Sequence, residues 1–228
     1  MGGVELTADA LVADLRAAAD PAAHPNRHYA GDGEVLGVRM GTLFDIAKCY
    51  TALPLDEVHR LLDEPGYEPR LAAFCVLDFA VRRPRAADDE REARYRLYLD
   101  RHDRIDTWDM VDRAAPRVVG AFLRDRSRAP LFELARSDDP LRRRTAMTAP
   151  LAYTRPPHPA GIADLLRLAE LLADDADPVV RKPVGIALRH AGGADPAAVR
   201  AFLDRLGDRL PAPVRRAAAE KLPRAAGP

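Results

Sequence analysis

The sequence predicts an all-α protein built of stacked helical hairpins, and three observations carry that expectation. Apolar residues recur at i, i+3, i+4 and i+7 along most of the chain. Period-2 runs of β-branched and aromatic residues, the mark of a half-buried strand, are almost absent. Breakers such as "RRPR", "TRPPHPAG" and "AGGADP" cut the periodic stretches into short helices joined by short turns.

In chain order, a first helix is expected over about residues 5–19. "GDGEVLGVRMG" follows; it is rich in glycine but lacks the GK[ST] ending of a phosphate loop and the GxGxxG spacing, and no strand precedes it. It reads as a loop entering a helix that starts near Met40. "GTLFDIAKCYTAL" then sets Leu43, Ile46, Ala47, Tyr50 and Leu53 along one stripe. "PLDEVHRLLDE" starts with Pro54 near a first helical turn, where a missing N–H costs little. "EPRLAAFCVLDFAV" repeats the pattern with Leu71, Phe74, Cys75 and Phe79, and "GIADLLRLAELLADD" with Ile162, Leu165, Leu168 and Leu171.

Composition narrows the class. At 228 residues the chain lies near the upper end of one compact domain, and 47% apolar with 31% charged residues is a folding composition. No apolar run approaches the ~20 residues of a membrane span, and the acidic start is neither a signal nor a transit sequence, so a cytoplasmic protein is expected. Cys49 and Cys75 lie in apolar helical stretches without a CxxC or a nearby His, which predicts buried free thiols. The six histidines form neither HExxH nor a finger pattern, and GxSxG is absent, so no metal or cofactor is expected.

A longer period appears when the proline-led helices are stacked. "DPLRRRTAM", "DPVVRKPVGIAL" and "APVRRAAAEKL" share a Pro, a basic pair and a small or apolar run, with "EPRLAAFCVL" a looser member. Arg143, Arg181 and Arg215 are 38 and 34 residues apart, and Arg70 precedes Arg143 by 73, about two such steps. One helix pair per period is the signature of an α-solenoid of HEAT-like units, in which stacking builds one continuous core. The expected architecture is a single domain over 1–228 with a concave basic groove. Net charge is zero, but the first 20 residues carry four acids against one base, whereas ten basic against four acidic residues follow from Arg181, a net +6. A repeat-locked line of cations suits a polyanion, which makes nucleic acid the leading partner; each arginine alone also fits a solvated helix face.

"TWDMVD" holds Trp108, the only tryptophan of the chain. On a helix Trp108 and Asp112 share one face while Asp109 turns aside. An indole beside a carboxylate can stabilise positive charge developing on a substrate. Spacing alone favours the other reading, a core Trp108 with Asp112 capping a helix or pairing with an arginine such as Arg144.

"VLGVRMGTLFDIAK", "YLDRHDRIDTWDMVDRAAPRVVG", "LARSDDPLRRRTAM" and "VVRKPVGIALRHAG", in this order, resemble the alkylpurine DNA glycosylases of the AlkD type, DNA alkylation repair proteins built from HEAT-like repeats. The resemblance spans about 35–222. It implies hydrolysis of the N-glycosidic bond of N3- or N7-alkylated purines in duplex DNA, without base flipping, by a monomer needing no metal or cofactor. Trp108 and Asp112 take the positions beside the deoxyribose, Arg144 that of a catalytic-site arginine on the DNA backbone, and Arg143 lies next to it. Arg189 falls on a further backbone contact, and Tyr29 on an N-terminal tyrosine near DNA. Arg181, Lys182 and Arg215 complete the expected DNA-binding set. Ile186 and Ala187 stand where relatives carry a second tryptophan, and Leu141 where they carry another. The alternatives are a non-catalytic scaffold for DNA structures or protein partners, and the same chemistry on bulky purine adducts.

Overall fold

The computed structural model describes residues 5–27, 29 and 31–223, and among them helices dominate, with a lone antiparallel bridge between Thr154 and Pro157. The backbone packs into two compact units, residues 1–114 and 115–228.

The first unit contains α1 (Ala8–Ala17), α2 (Met40–Cys49), α3 (Leu55–Asp63), α4 (Tyr67–Val81), α5 (Asp88–Asp100) and α6 (Trp108–Ala114). Thr7 caps α1 by accepting from the Ala10 N–H. The glycine-rich stretch is a loop and α2 begins at Met40, as its composition predicts. α4 is the hub: all its residues but Phe79 are buried, because α2, α3, α5 and α6 cover it from several sides. A helix apolar on only one face could not be buried this way, and "LAAFCVL" is apolar all round. Phe74, Leu77, Tyr98, Met110 and Val111 are all within this core.

The second unit opens on a π-helical turn, Ala115–Gly120, followed by α7 (Ala121–Leu123), α8 (Ala129–Leu134) and α9 (Pro140–Thr148). A 3-10 turn (Ala149–Tyr153) leads to α10 (Pro159–Leu172), α11 (Pro178–Ala194), α12 (Pro196–Leu206) and α13 (Ala212–Ala219). Gly120 is required by close approach, since a Cβ there would lie 1.9 Å from the Ala149 carbonyl oxygen. α11 is the hub here, packed by α9, α10, α12 and α13. The "DP" signature of the repeat is a helix start: Asp139 and Asp177 each accept from the N–H two residues on, at 2.8 Å, with Pro at the first helical position.

Two sequence expectations change. On α10 the buried stripe runs through Ile162, Leu165, Leu168 and Leu172, while Leu171 is 53% exposed, because the 3.6-residue period carries it past the edge of the core-facing face. Cys75 is buried and its thiol is pushed up to about 12 by burial, but Cys49 is exposed, since it ends α2 on the side away from Leu43 and Ala47.

Candidate functional site

Trp108 is the first residue of α6 and Asp112 lies one turn further on the same face. Trp108 is 43% exposed, so it is not a core residue. Asp112 is partly exposed, and the neighbouring Arg113 is committed elsewhere, pairing with the buried Asp78 at 2.6 Å between the rings of Phe44 and Phe79. An exposed indole ordinarily forfeits its burial energy; here it is presented beside a carboxylate.

What holds α6 in place is the first turn of α4, "YEPR", whose role spacing did not reveal. The Tyr67 hydroxyl donates to the Asp109 carboxylate, which also accepts from the Thr107 hydroxyl and, at 2.9 Å, from the Met110 N–H. Arg70 donates to Asp106 at 2.6 Å and to the Tyr29 hydroxyl at 2.8 Å. Both residues flanking the Thr107–Trp108 pair are therefore tied to α4. Asp109, turned aside as expected, is a structural anchor. Burial and the Asp109 charge raise the Tyr67 pKa, so the phenol stays a donor throughout the physiological range.

Tyr29 also belongs to this cluster. Its hydroxyl donates to Asp106 at 2.9 Å, accepts from the Gly33 N–H at 3.0 Å, and its ring lies 4.9 Å from that of Tyr67. With the hydroxyl so engaged, only the half-exposed ring is left to meet a ligand. Gly33 is dictated by this packing: a Cβ would lie 2.2 Å from the Pro65 carbonyl oxygen. The loop beyond it donates the N–H groups of Leu36, Gly37 and Val38 to the buried Glu68 carboxylate at 2.9, 2.8 and 3.3 Å. Backbone amides that could cradle a phosphate are occupied by a residue of the chain itself.

Tyr67→Phe removes one hydroxyl and leaves the ring. It is expected to lower stability by about 1.5–3 kcal/mol, the range for a hydrogen bond to a charged group, and to lower the emission anisotropy of Trp108, the sole tryptophan. Unchanged anisotropy would show that the start of α6 is held without this bond.

The cations of the second unit divide sharply. Arg143 makes a two-point pair with Asp175, at 2.6 and 3.1 Å, and donates to the Ser137 and Asp138 carbonyls at 2.9 Å each. These donors are engaged inside the unit. Burial acts to raise Asp175, but hydrogen bonds from Arg143 and the Asp177 N–H prevail and hold its pKa below the ordinary value. Stability from such a pair is complete above the unfolded aspartate pKa and is lost as pH falls through the folded one. Arg143→Ala should therefore cost about 1.5–3 kcal/mol near pH 7 and progressively less toward about pH 3, measured by urea unfolding at both.

The same pattern recurs at one-repeat spacing. Arg70 meets Asp106 and Arg128 meets Asp164, each 36 residues on; Arg143 meets Asp175 32 residues on, and Arg189 meets Glu220 31 residues on. Of the periodic arginines, Arg70 and Arg143 thus make ion pairs about one repeat apart. Arg181 and Lys182 are exposed on α11, Arg189 is half-exposed beside Glu220, and Arg215 pairs with the exposed Asp208.

Arg144 departs furthest from expectation. It is 3% exposed and donates to the Val179 carbonyl at 2.6 Å. Val179 is four residues before Pro183, which lies inside α11 and has no N–H to offer that carbonyl. Arg144 supplies the missing donor from α9. Little of the side chain reaches solvent in this arrangement.

The two units together define a helical-repeat protein that presents a tryptophan and a carboxylate on one helix and a cationic face on another. The model of the DNA alkylation repair enzyme family matches residues 11–222, and the chain belongs to that family. Among solved structures it is similar to a predicted DNA alkylation repair enzyme from Enterococcus faecalis, with a TM-score of 0.63, 15% identity, and 85% of this chain and 90% of that one covered. At that identity the likeness concerns the fold. A comparison with curated protein sequences gives no match. Family membership makes this a DNA repair protein. Among the described residues no helix is long and apolar enough to cross a membrane, and no cluster of three or more His, Cys, Asp or Glu could hold a metal ion.

Proposed function

We propose that the protein is a DNA glycosylase that hydrolyses the N-glycosidic bond of N3- or N7-alkylated purines in duplex DNA, gripping the duplex by its backbone without turning the base into a pocket. Alkylation makes the purine cationic and a good leaving group, so little acid catalysis is required. As the bond from C1′ breaks, its electron pair leaves with the purine and neutralises it, while positive charge grows on the sugar. Asp112 stabilises that charge and orients the attacking water, whose proton it accepts; the face of Trp108 adds cation–π attraction of about 0.5–2 kcal/mol. Arg181, Lys182, Arg189 and Arg215 take the phosphates, with the ring of Tyr29 as a further contact, while Arg144 holds α9 to α11 through the Val179 carbonyl and Arg143 ties α9 to the connections on either side of it through Asp175 and the Ser137 and Asp138 carbonyls.

The observation that carries this reading is the exposed Trp108 with Asp112 one turn away, on a helix start pinned by Tyr67 and Arg70. The test is release of free alkylated purine from methylated duplex DNA incubated with the protein. Release at the rate of a protein-free control would reject the reading and leave a binding scaffold.

A further inference from the structure

Arg82, Arg83, Arg85, Arg91 and Arg94 cluster in sequence where α4 passes into α5. Arg83, Pro84, Arg85 and Glu90 line an open hollow of about 570 Å³ there. Glu90 is the one carboxylate among the described lining residues, and it is taken, accepting from the Arg83 Nη2 at 2.9 Å. Arg82 is drawn off to Asp78 at 3.2 Å and to the ring of Phe79. The other three meet no carboxylate at ion-pair distance among the described residues. Arg85 is exposed, Arg91 reaches the Val81 carbonyl through its Nε at 3.4 Å, and Arg94 donates to the Glu90 main-chain carbonyl at 2.9 Å. Asp88 and Asp89, in the same turn, are exposed and lie outside the lining.

Arg94 is the informative member. Only 8% of it is exposed; burial pushes its pKa below the ordinary value, the nearby Glu90 charge opposes that shift and the Arg83 charge reinforces it. A buried cation is tolerable with an opposite charge beside it, yet here two guanidinium groups share the field of one carboxylate. Arg83 shows the same shortage, since its Nε is buried and has no acceptor among the described residues. One more anion would balance the cluster. Guanidinium forks favour oxyanions, which accept paired N–H bonds. A phosphodiester inside a duplex carries a single charge and stays on the surface of a stiff helix, whereas a terminal phosphate carries about −1.5 to −2 near pH 7, has three strong acceptor oxygens and can enter a hollow. We infer that the α4–α5 turn binds a terminal phosphate group through Arg83 and Arg85, with the charge of Arg94 adding to theirs. The site calls on neither Trp108 nor Asp112 and stands apart from base excision.

The test is calorimetric titration of the full chain at constant ionic strength, near pH 7.5, with inorganic phosphate, dAMP and deoxyadenosine. Two or three charge-assisted bonds predict a dissociation constant of about 1 mM or lower for inorganic phosphate and for dAMP, and deoxyadenosine should not bind. Arg83→Gln is expected to weaken phosphate binding about tenfold or more and Arg85→Ala about fivefold, while Arg181→Ala, which removes an exposed cation from α11, should leave it unchanged. The source of the phosphate is read from two duplexes that differ only in carrying 5′-phosphate or 5′-hydroxyl ends. A preference for the phosphorylated duplex that Arg83→Gln removes would make the occupant a strand end; equal binding of the two, beside binding of dAMP, would make it a free phosphate compound. Absence of phosphate binding up to about 10 mM, binding unchanged in either Arg83→Gln or Arg85→Ala, or binding lost in Arg181→Ala would each overturn the inference.

Discussion

Asp112→Asn is expected to lower the rate of alkylpurine release by about 10²–10³-fold, the cost of removing one electrostatic stabiliser or general base from a transition state. The amide is isosteric but carries no charge to oppose the developing sugar cation and cannot take the proton of water. The start of α6 should stay in place, because it is anchored through Asp109 and Asp106. Affinity for undamaged duplex should be unchanged or slightly higher, as one negative charge has gone. Single-turnover release from methylated duplex, beside a binding titration, separates these effects. Equal release by wild type and variant would remove Asp112 from the chemistry. Trp108→Phe should be milder, since an aromatic face is kept.

Arg144→Ala is expected to cost about 1–3 kcal/mol or more, because it leaves the Val179 carbonyl without its donor inside a packed helix pair. Pro183→Ala tests the cause. An alanine N–H at 183 can complete the bond to Val179 that proline cannot make. In the Pro183→Ala background the penalty of Arg144→Ala should therefore be smaller by at least ~1 kcal/mol, a coupling measurable in a double-mutant unfolding cycle. Additive effects would mean that Arg144 and Pro183 do not share that carbonyl. A loss of DNA affinity in Arg144→Ala that Pro183→Ala does not restore would return the residue to direct phosphate contact.

The contrast between the arginines shows how far spacing can be read. A period of 34 to 38 residues in Arg143, Arg181 and Arg215 is present in the sequence, but two physical causes produce it. A cation may recur to follow a polyanion, or to meet an acid on the next repeat. Arg70, Arg128 and Arg143 take the second course; Arg189 meets Glu220 only at 3.4 Å from a half-exposed position, and Arg181 and Arg215 meet no acid one repeat on among the described residues. The signal that separates the causes was available: Asp106, Asp164, Asp175 and Glu220 each follow their arginine by about one period. Basic residues read together with the acids one period on separate Arg143, which is held inside its unit, from the exposed Arg181 and Lys182.

Tyr67 and Glu68 illustrate a different limit. Both lie at the head of an apolar helix, where local pattern treats them as ordinary first-turn residues. Their partners, Asp109 and the amides of Leu36, Gly37 and Val38, are about 30 to 40 residues distant in sequence, so only folding reveals the bonds.

The sequence alone determined the helical class, the "DP" helix starts and the pairing of Trp108 with Asp112 on one helical face, because these depend on interactions within a turn or two of the chain. Tertiary structure decided which charged groups remain available. Burying a guanidinium or a carboxylate is tolerable only with a partner in place, and that partner comes from another helix. Hence Trp108 emerged exposed, and Arg143 and Arg144 were drawn inward.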